Sequence, residues 1–252
     1  MMLASAGCAV ALVAVLAATP PASGAGYPPH HPSRLANVAT AGQVVVVTAP
    51  SWGSTTGTLR AYERDGAGGW TAVLGATPAR LGWSGMTPAA ERRQGTGKTP
   101  AGTFAIVSGF GRQPDPGTEL PYVRVDRNDA WTYNPERPAT YNVFQTVDTS
   151  WRTYGRYVER LWSYGRQYNY VAVLDYNLPD GEIRTGPDGV RRTTEPADTK
   201  AGGGIFLHVS KGESTAGCVA IPEADMRRVM QWLDPDRKPV IVIGTESTIG
   251  RM

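Results

Sequence analysis

The 252-residue chain predicts a single β-rich α+β domain, and three observations carry that expectation. Glycine and proline, at 30 and 20 residues, make up a fifth of the chain, a density of breakers that suits short strands and loops better than long helices. The apolar runs are short and either β-branched and continuous or alternating, as buried and half-buried strands are. One amphipathic helix followed by one buried strand closes the pattern. With 41% hydrophobic residues and 22 aromatics there is material for a core, so the chain is not a disordered one. The 25 Lys and Arg nearly balance 22 Asp and Glu, giving a net +3 with no block of like charge, which argues against a nucleic-acid partner.

Taken in order, residues 8–18 form an apolar run, followed by Pro20, Pro21 and small residues up to Ala25. The run is too short to span a bilayer but has the length of an export signal's apolar region, although no Lys or Arg precedes it. Residues 1–25 are therefore expected to be a signal peptide, cut near residue 25, and the protein to be exported to the extracellular space or cell wall. Residues 26–41 read as a proline-rich linker, and 42–246 as the folded domain. Within it, QVVVVTA at 43–49 predicts a strand buried on both faces. GTLRAYER at 57–64 and WTAVLG at 70–75 predict a hairpin about the DGAGG turn at 65–69, with ATPARLG continuing the β pattern. Further strands are expected at 99–109, 168–177, 204–210 and 238–244. The helix begins after Ile221, with Pro222, Glu223 and Asp225 suited to its first turn, and Met226, Val229, Met230 and Leu233 forming one apolar stripe.

Two stretches resist this reading. Residues 112–167 form an irregular, aromatic-rich insertion: eleven of the aromatics fall between Trp131 and Tyr170, Trp151 and Tyr154 among them. They suit a subdomain packed by large rings, or a wall for a sugar or peptide. Residues 183–204 are polar and glycine-rich, and their length favours a mobile loop beside a site.

The rarest residues point to chemistry. Loss of the signal removes Cys8, leaving Cys218 without an internal disulfide partner in an exported protein. His30 and His31 fall in the proline-rich stretch, which leaves His208 as the domain's histidine. One of each is too few for a zinc site, so no metal and no cofactor is expected. No GxSxG elbow is present, and GTGKT at 95–99 fails as a phosphate loop because Arg92 stands where glycine is needed and Pro100 follows. His208 ends an apolar strand, and Cys218 follows ten residues later across a loop containing Gly212 and Gly217. A free thiol ionises near ~8.5, so a nucleophilic cysteine needs a base within reach to give an ion pair, and the same imidazole can later protonate a leaving amine. A main-chain carbonyl serves to orient the ring, and amides near Gly217 and Cys218 are placed to form an oxyanion hole.

The segment from His208 through Ser214-Thr215-Ala216-Gly217-Cys218-Val219 resembles the H…S/T-x-G-C signature of L,D-transpeptidases with the YkuD-type catalytic domain. Gly97-Lys98-Thr99-Pro100-Ala101-Gly102-Thr103-Phe104 is similar to the GKTPxGxF block of that domain, and Tyr176 with the closing WLDP…IVIG resembles the actinobacterial secreted branch. The resemblance covers roughly 43–244. It implies a β-sandwich-like domain with a C-terminal helix and strand, acting on peptidoglycan stem peptides. Cys218 would attack the carbonyl of the third stem residue and release terminal D-alanine, with His208 as base and then acid. An amine of a second stem would resolve the acyl-enzyme into a 3→3 cross-link. Val209 would orient His208 through its carbonyl, and Ser214, Thr215 and Gly217 would shape the loop and oxyanion hole. The chain departs from the family pattern at Ala220, often Arg or Asn, at Ala216, often His, and at Val209, often Gly or Ser. Water as acceptor would make the enzyme an L,D-carboxypeptidase. A non-catalytic cell-wall-binding domain and a dimer joined through Cys218 are the non-enzymatic alternatives. A sortase-like enzyme fits less well, because Arg227 and Arg228 lie on the expected helix. No protein partner is implied, and a monomer is expected.

Overall fold

In the computed structural model, residues 26–146 and 157–252 are described. The signal expected at 1–25, and Trp151 and Tyr154 of the aromatic stretch, lie outside them. The strands are β1 (Gln43–Ala49), β2 (Thr56–Arg64), β3 (Trp70–Arg80), β4 (Met86–Pro88), β5 (Thr99–Gly111), β6 (Tyr122–Arg124), β7 (Ala130–Thr132), β8 (Val143–Gln145), β9 (Val158–Arg160), β10 (Val171–Leu174), β11 (Ile183–Thr185), β12 (Arg191–Thr193), β13 (Phe206–Val209), β14 (Val219–Ile221) and β15 (Val240–Thr245). One α-helix, α1 (Glu223–Trp232), precedes β15.

The main sheet runs β10-β13-β14-β3-β2-β1-β15-β5-β4, and β10 also pairs with β5, so eight strands close into a circuit. Their inward side chains meet in one cluster, which includes Val45, Leu59, Phe104, Leu207 and Ile241. The α1 stripe of Met226, Val229, Met230, with Leu233 just beyond the helix end, joins that cluster and is buried. Pro222 sits one residue before the helix, as its cap residue. Alternation explains the apolar run of β1. Val45 and Val47 point into the circuit, while Val44 and Val46 point to a second cluster on the opposite face.

That second cluster changes the reading of 26–41. The segment expected as a linker is packed on the sheet: Leu35, Val38 and Ala41 are buried against Val44, Val46, Tyr62, Val242 and Ile249. His31 stacks on Tyr27 at 3.9 Å and meets Tyr62 edge-on, and Arg64 donates to the carbonyls of Val38, Ala39 and Ala41. The two histidines set aside at the sequence level therefore belong to the packed domain.

A third cluster positions the site. The outward faces of β5, β10 and β13 present Phe110, Val171, Val173 and Phe206, which are covered by Trp131, Leu161 and Tyr168 from the insertion. The insertion is more regular than its composition suggests: β7 pairs antiparallel with both β8 and β9. Phe110, Trp131, Tyr168 and Phe206 pack as ring pairs 5.0–6.3 Å apart, mostly edge-to-face. The strand expected at 168–177 shortens to β10, because residues 161–168 wind into 3₁₀ turns instead. The segment expected as a loop at 183–204 contains the β11–β12 hairpin, which apolar periodicity does not reveal in so polar a stretch.

Met230 has no exposed surface and touches the interior of the circuit. Met230→Ala is expected to cost about 2–5 kcal/mol through the cavity it leaves, measured by urea denaturation. A loss below about 0.5 kcal/mol, as for a surface change, would contradict this packing.

Candidate active site

The site is built on one pair of strands. β13 and β14 run parallel with His208 opposite Ala220, which places Cys218 two residues back on the neighbouring strand's line. Leu207, Val209, Val219 and Ile221 face the interior, whereas Phe206 and Cys218 belong to the aromatic cluster. His208 points to the same side, its ring 5.5 Å from Tyr168 in an edge contact. Nucleophile and base candidates are thus diagonal neighbours on one face.

Both are almost wholly buried, at 6% exposure for Cys218 and 5% for His208. The Cys218 thiol donates to the Gly204 carbonyl at 3.3 Å and accepts from the Phe206 amide at 3.4 Å. His208 Nδ1 lies 3.0 Å from the Val209 carbonyl. Burial pushes the thiol up to about 12, with the Glu159 carboxylate adding to the effect and the Phe206 amide and Arg92 opposing it. Burial likewise lowers His208 to about 4, with Lys211's charge acting the same way and the Val209 and Gln167 main-chain groups opposing. The ion pair expected from the two residue types is therefore not the resting form: burial favours a neutral thiol, bonded to the Gly204 carbonyl, and a neutral imidazole.

The loop before Cys218 is pinned from several sides. Thr215 Oγ1 donates to the Cys218 carbonyl at 2.6 Å, and Thr99 Oγ1 donates to the same carbonyl at 3.4 Å. Thr215 also pairs through its backbone with Leu81 and Trp83. The Gly217 amide, expected as an oxyanion donor, donates to Thr215 Oγ1 at 3.1 Å. Ser214 is exposed on the loop, outside this set of bonds. Gly204, the thiol's acceptor, is held by the Asn142 side chain, whose Oδ1 accepts from the Gly204 amide at 2.8 Å and from Trp131 Nε1 at 2.7 Å. Among the described residues no cluster of three or more His, Cys, Asp or Glu side chains is placed to hold a metal.

Three residues of the site are not legible as such in the sequence. Glu159, on β9, accepts a hydrogen bond from Tyr168 Oη at 2.5 Å, and burial raises its carboxyl to about 7 despite that bond. Tyr168 stands between this carboxyl and the His208 ring. Arg92, noted only as the residue that spoils a phosphate loop, is 4% exposed and lies beside Gly217. Nothing in their local sequence marks them, because each reaches the site through tertiary folding of a different segment. Thr99 lies inside the GKTPAGTF block and is completely buried beneath the Cys218 carbonyl.

Comparison with known proteins gives one finding. The model of a family described as the L,D-transpeptidase catalytic domain, YkuD, matches residues 43–242. No curated protein matches the chain.

Because the Glu159 charge opposes ionisation of the thiol, Glu159→Gln is expected to speed alkylation of Cys218 by iodoacetamide roughly tenfold at pH 8, shifting the rate profile to lower pH. An unchanged profile would show that the carboxyl and thiol are not coupled.

Proposed function

From the premise that the chain belongs to the L,D-transpeptidase catalytic-domain family, we propose that it performs that family's peptidoglycan chemistry through a Cys218 acyl-enzyme. The observation that carries the proposal is the parallel register that sets Cys218 diagonal to His208 on one buried face. In the proposed reaction the Cys218 sulfur attacks the carbonyl that links the third stem residue to D-alanine. Since the resting pair is neutral, the thiol proton passes to His208 as the carbon–sulfur bond forms, not before it. The tetrahedral intermediate collapses by breaking the C–N bond, and His208 returns the proton to the departing D-alanine amine. An amine of a second stem, or of a free D-amino acid, then attacks the thioester and gives a proton to His208; the C–S bond breaks and His208 returns that proton to the departing sulfur. The product is a 3→3 cross-link or an exchanged terminus; water in the amine's place would give carboxypeptidase activity.

The surrounding groups fit this scheme. The Val209 carbonyl bond at Nδ1 favours the tautomer protonated there, which leaves Nε2 as the basic nitrogen of the scheme. Thr215 and Thr99 hold the Cys218 carbonyl, and with it the backbone that carries the thiol, in place. With the Gly217 amide committed to Thr215, the Cys218 amide is the proposed oxyanion donor. The substrate implies action on the cell wall, and we propose with it that residues 1–25 direct export.

Incubation with a synthetic stem tetrapeptide is expected to add the acyl-tripeptide mass to the protein and release D-alanine. Cys218→Ala is expected to abolish both while preserving the denaturation midpoint to within about 1 kcal/mol, as a small buried thiol is lost. Adding an acceptor peptide is expected to convert the adduct to a cross-linked product. Equal D-alanine release by wild type and Cys218→Ala would overturn the proposal, and hydrolysis that an acceptor does not divert would assign the carboxypeptidase reading.

A further inference from the structure

Among the described residues Arg92 is the one buried arginine or lysine, and no Asp or Glu forms an ion pair with it. Its Nε donates to the Lys98 carbonyl at 3.1 Å and its Nη1 to the Ala201 carbonyl at 2.7 Å. The guanidinium also lies 5.6 Å from the Tyr176 ring centroid. These contacts satisfy donors but leave a full positive charge without a counter-charge, an arrangement that is costly to bury unless an anion completes it.

The space around the guanidinium is made by two glycines with left-handed backbones. A Cβ at Gly202 (φ +87°) would lie 1.8 Å from Nη1, and a Cβ at Gly217 (φ +137°) would lie 3.1 Å from Nη2. Gly217 immediately precedes the nucleophile, so Nη2 borders the loop on which the scissile bond must sit. Ala216, just before Gly217, carries no charge, and Lys211 further along the loop is exposed, so the buried positive charge beside Gly217 is that of Arg92.

We infer that Arg92 is the carboxylate subsite of the donor stem peptide, its guanidinium binding a substrate carboxylate beside the scissile bond. This rests on the acyl-transfer reading above. A stem tetrapeptide offers two such groups: the α-carboxylate of the terminal D-alanine, and the side-chain carboxylate of the third residue where that residue is a diamino diacid. Both lie a few bonds from the attacked carbonyl, and a guanidinium recognises either by the same paired N–H···O geometry.

The test measures kcat/KM for acylation of Cys218, by intact mass, with four synthetic tetrapeptides. They combine a C-terminal acid or amide with a third residue that carries or lacks a side-chain carboxylate. Wild type is expected to prefer a carboxylate at one of the two positions by roughly 10–100-fold, and that position identifies the source. In Arg92→Gln the preference is expected to fall to within about threefold of unity, and Arg92→Lys to keep part of it as a point charge. Because the ratio is read, a residue that only staples the Lys98 and Ala201 carbonyls would lower all four rates together and leave the preference intact, which would overturn the inference. Wild type alone also decides: equal rates for acid and amide at both positions would overturn it even if the variants fail to fold. No adduct with any of the peptides would instead overturn the acyl-transfer reading on which the inference rests.

Discussion

The parallel pairing of β13 with β14 is the constraint on which the rest of the site depends. With His208 opposite Ala220, the pleat sends His208 and Cys218 to the aromatic face, and Leu207, Val209, Val219 and Ile221 into the interior. A slip of one residue on either strand would reverse the faces, burying a polar imidazole in the closed core and turning a valine or leucine to the site. The interior cluster, sealed by the α1 stripe, makes such a slip costly. The same packing that stabilises the domain therefore fixes where His208 and Cys218, the proposed base and nucleophile, lie.

Burial has a second consequence. A thiol raised to about 12 and an imidazole lowered to about 4 make a resting site with little nucleophilic thiolate. In the proposed mechanism reactivity is then coupled to substrate, since proton transfer is worthwhile only when a carbonyl is in place to accept the sulfur. The aromatic insertion supplies this environment: Trp131, Leu161 and Tyr168 cover the face that carries Cys218, while Glu159, bonded to Tyr168, disfavours the thiolate further. The depressed imidazole also bears on stability. A neutral His208 is favoured by the fold, so its contribution is present above its unfolded value of 6.5 and is lost as pH falls toward about 4.

The core strands were legible because hydrophobic period reports burial directly. QVVVVTA at 43–49 reads as a strand covered on both faces and is one, and the stripe from Met226 to Leu233 reads as a packed helix and is one. What the sequence hid was set by long-range contacts. The β11–β12 hairpin is held by pairing between polar residues, and the linker-like 26–41 is held by three scattered apolar side chains, neither of which leaves a period. Cys218 and His208 stood out through scarcity. Glu159 and Arg92 did not, since carboxylates and guanidines are common on any surface and only the fold shows which of them are covered.

The coupling of His208 to Cys218 is tested most directly by the pH dependence of single-turnover acylation in wild type and His208→Gln. The expected result is a loss of roughly 10²–10⁴-fold in the acylation rate of the variant, with the remaining rate rising steadily with pH as thiolate forms without a base. Equal acylation rates with the same pH profile in both proteins would contradict the assignment of His208 as the base for Cys218.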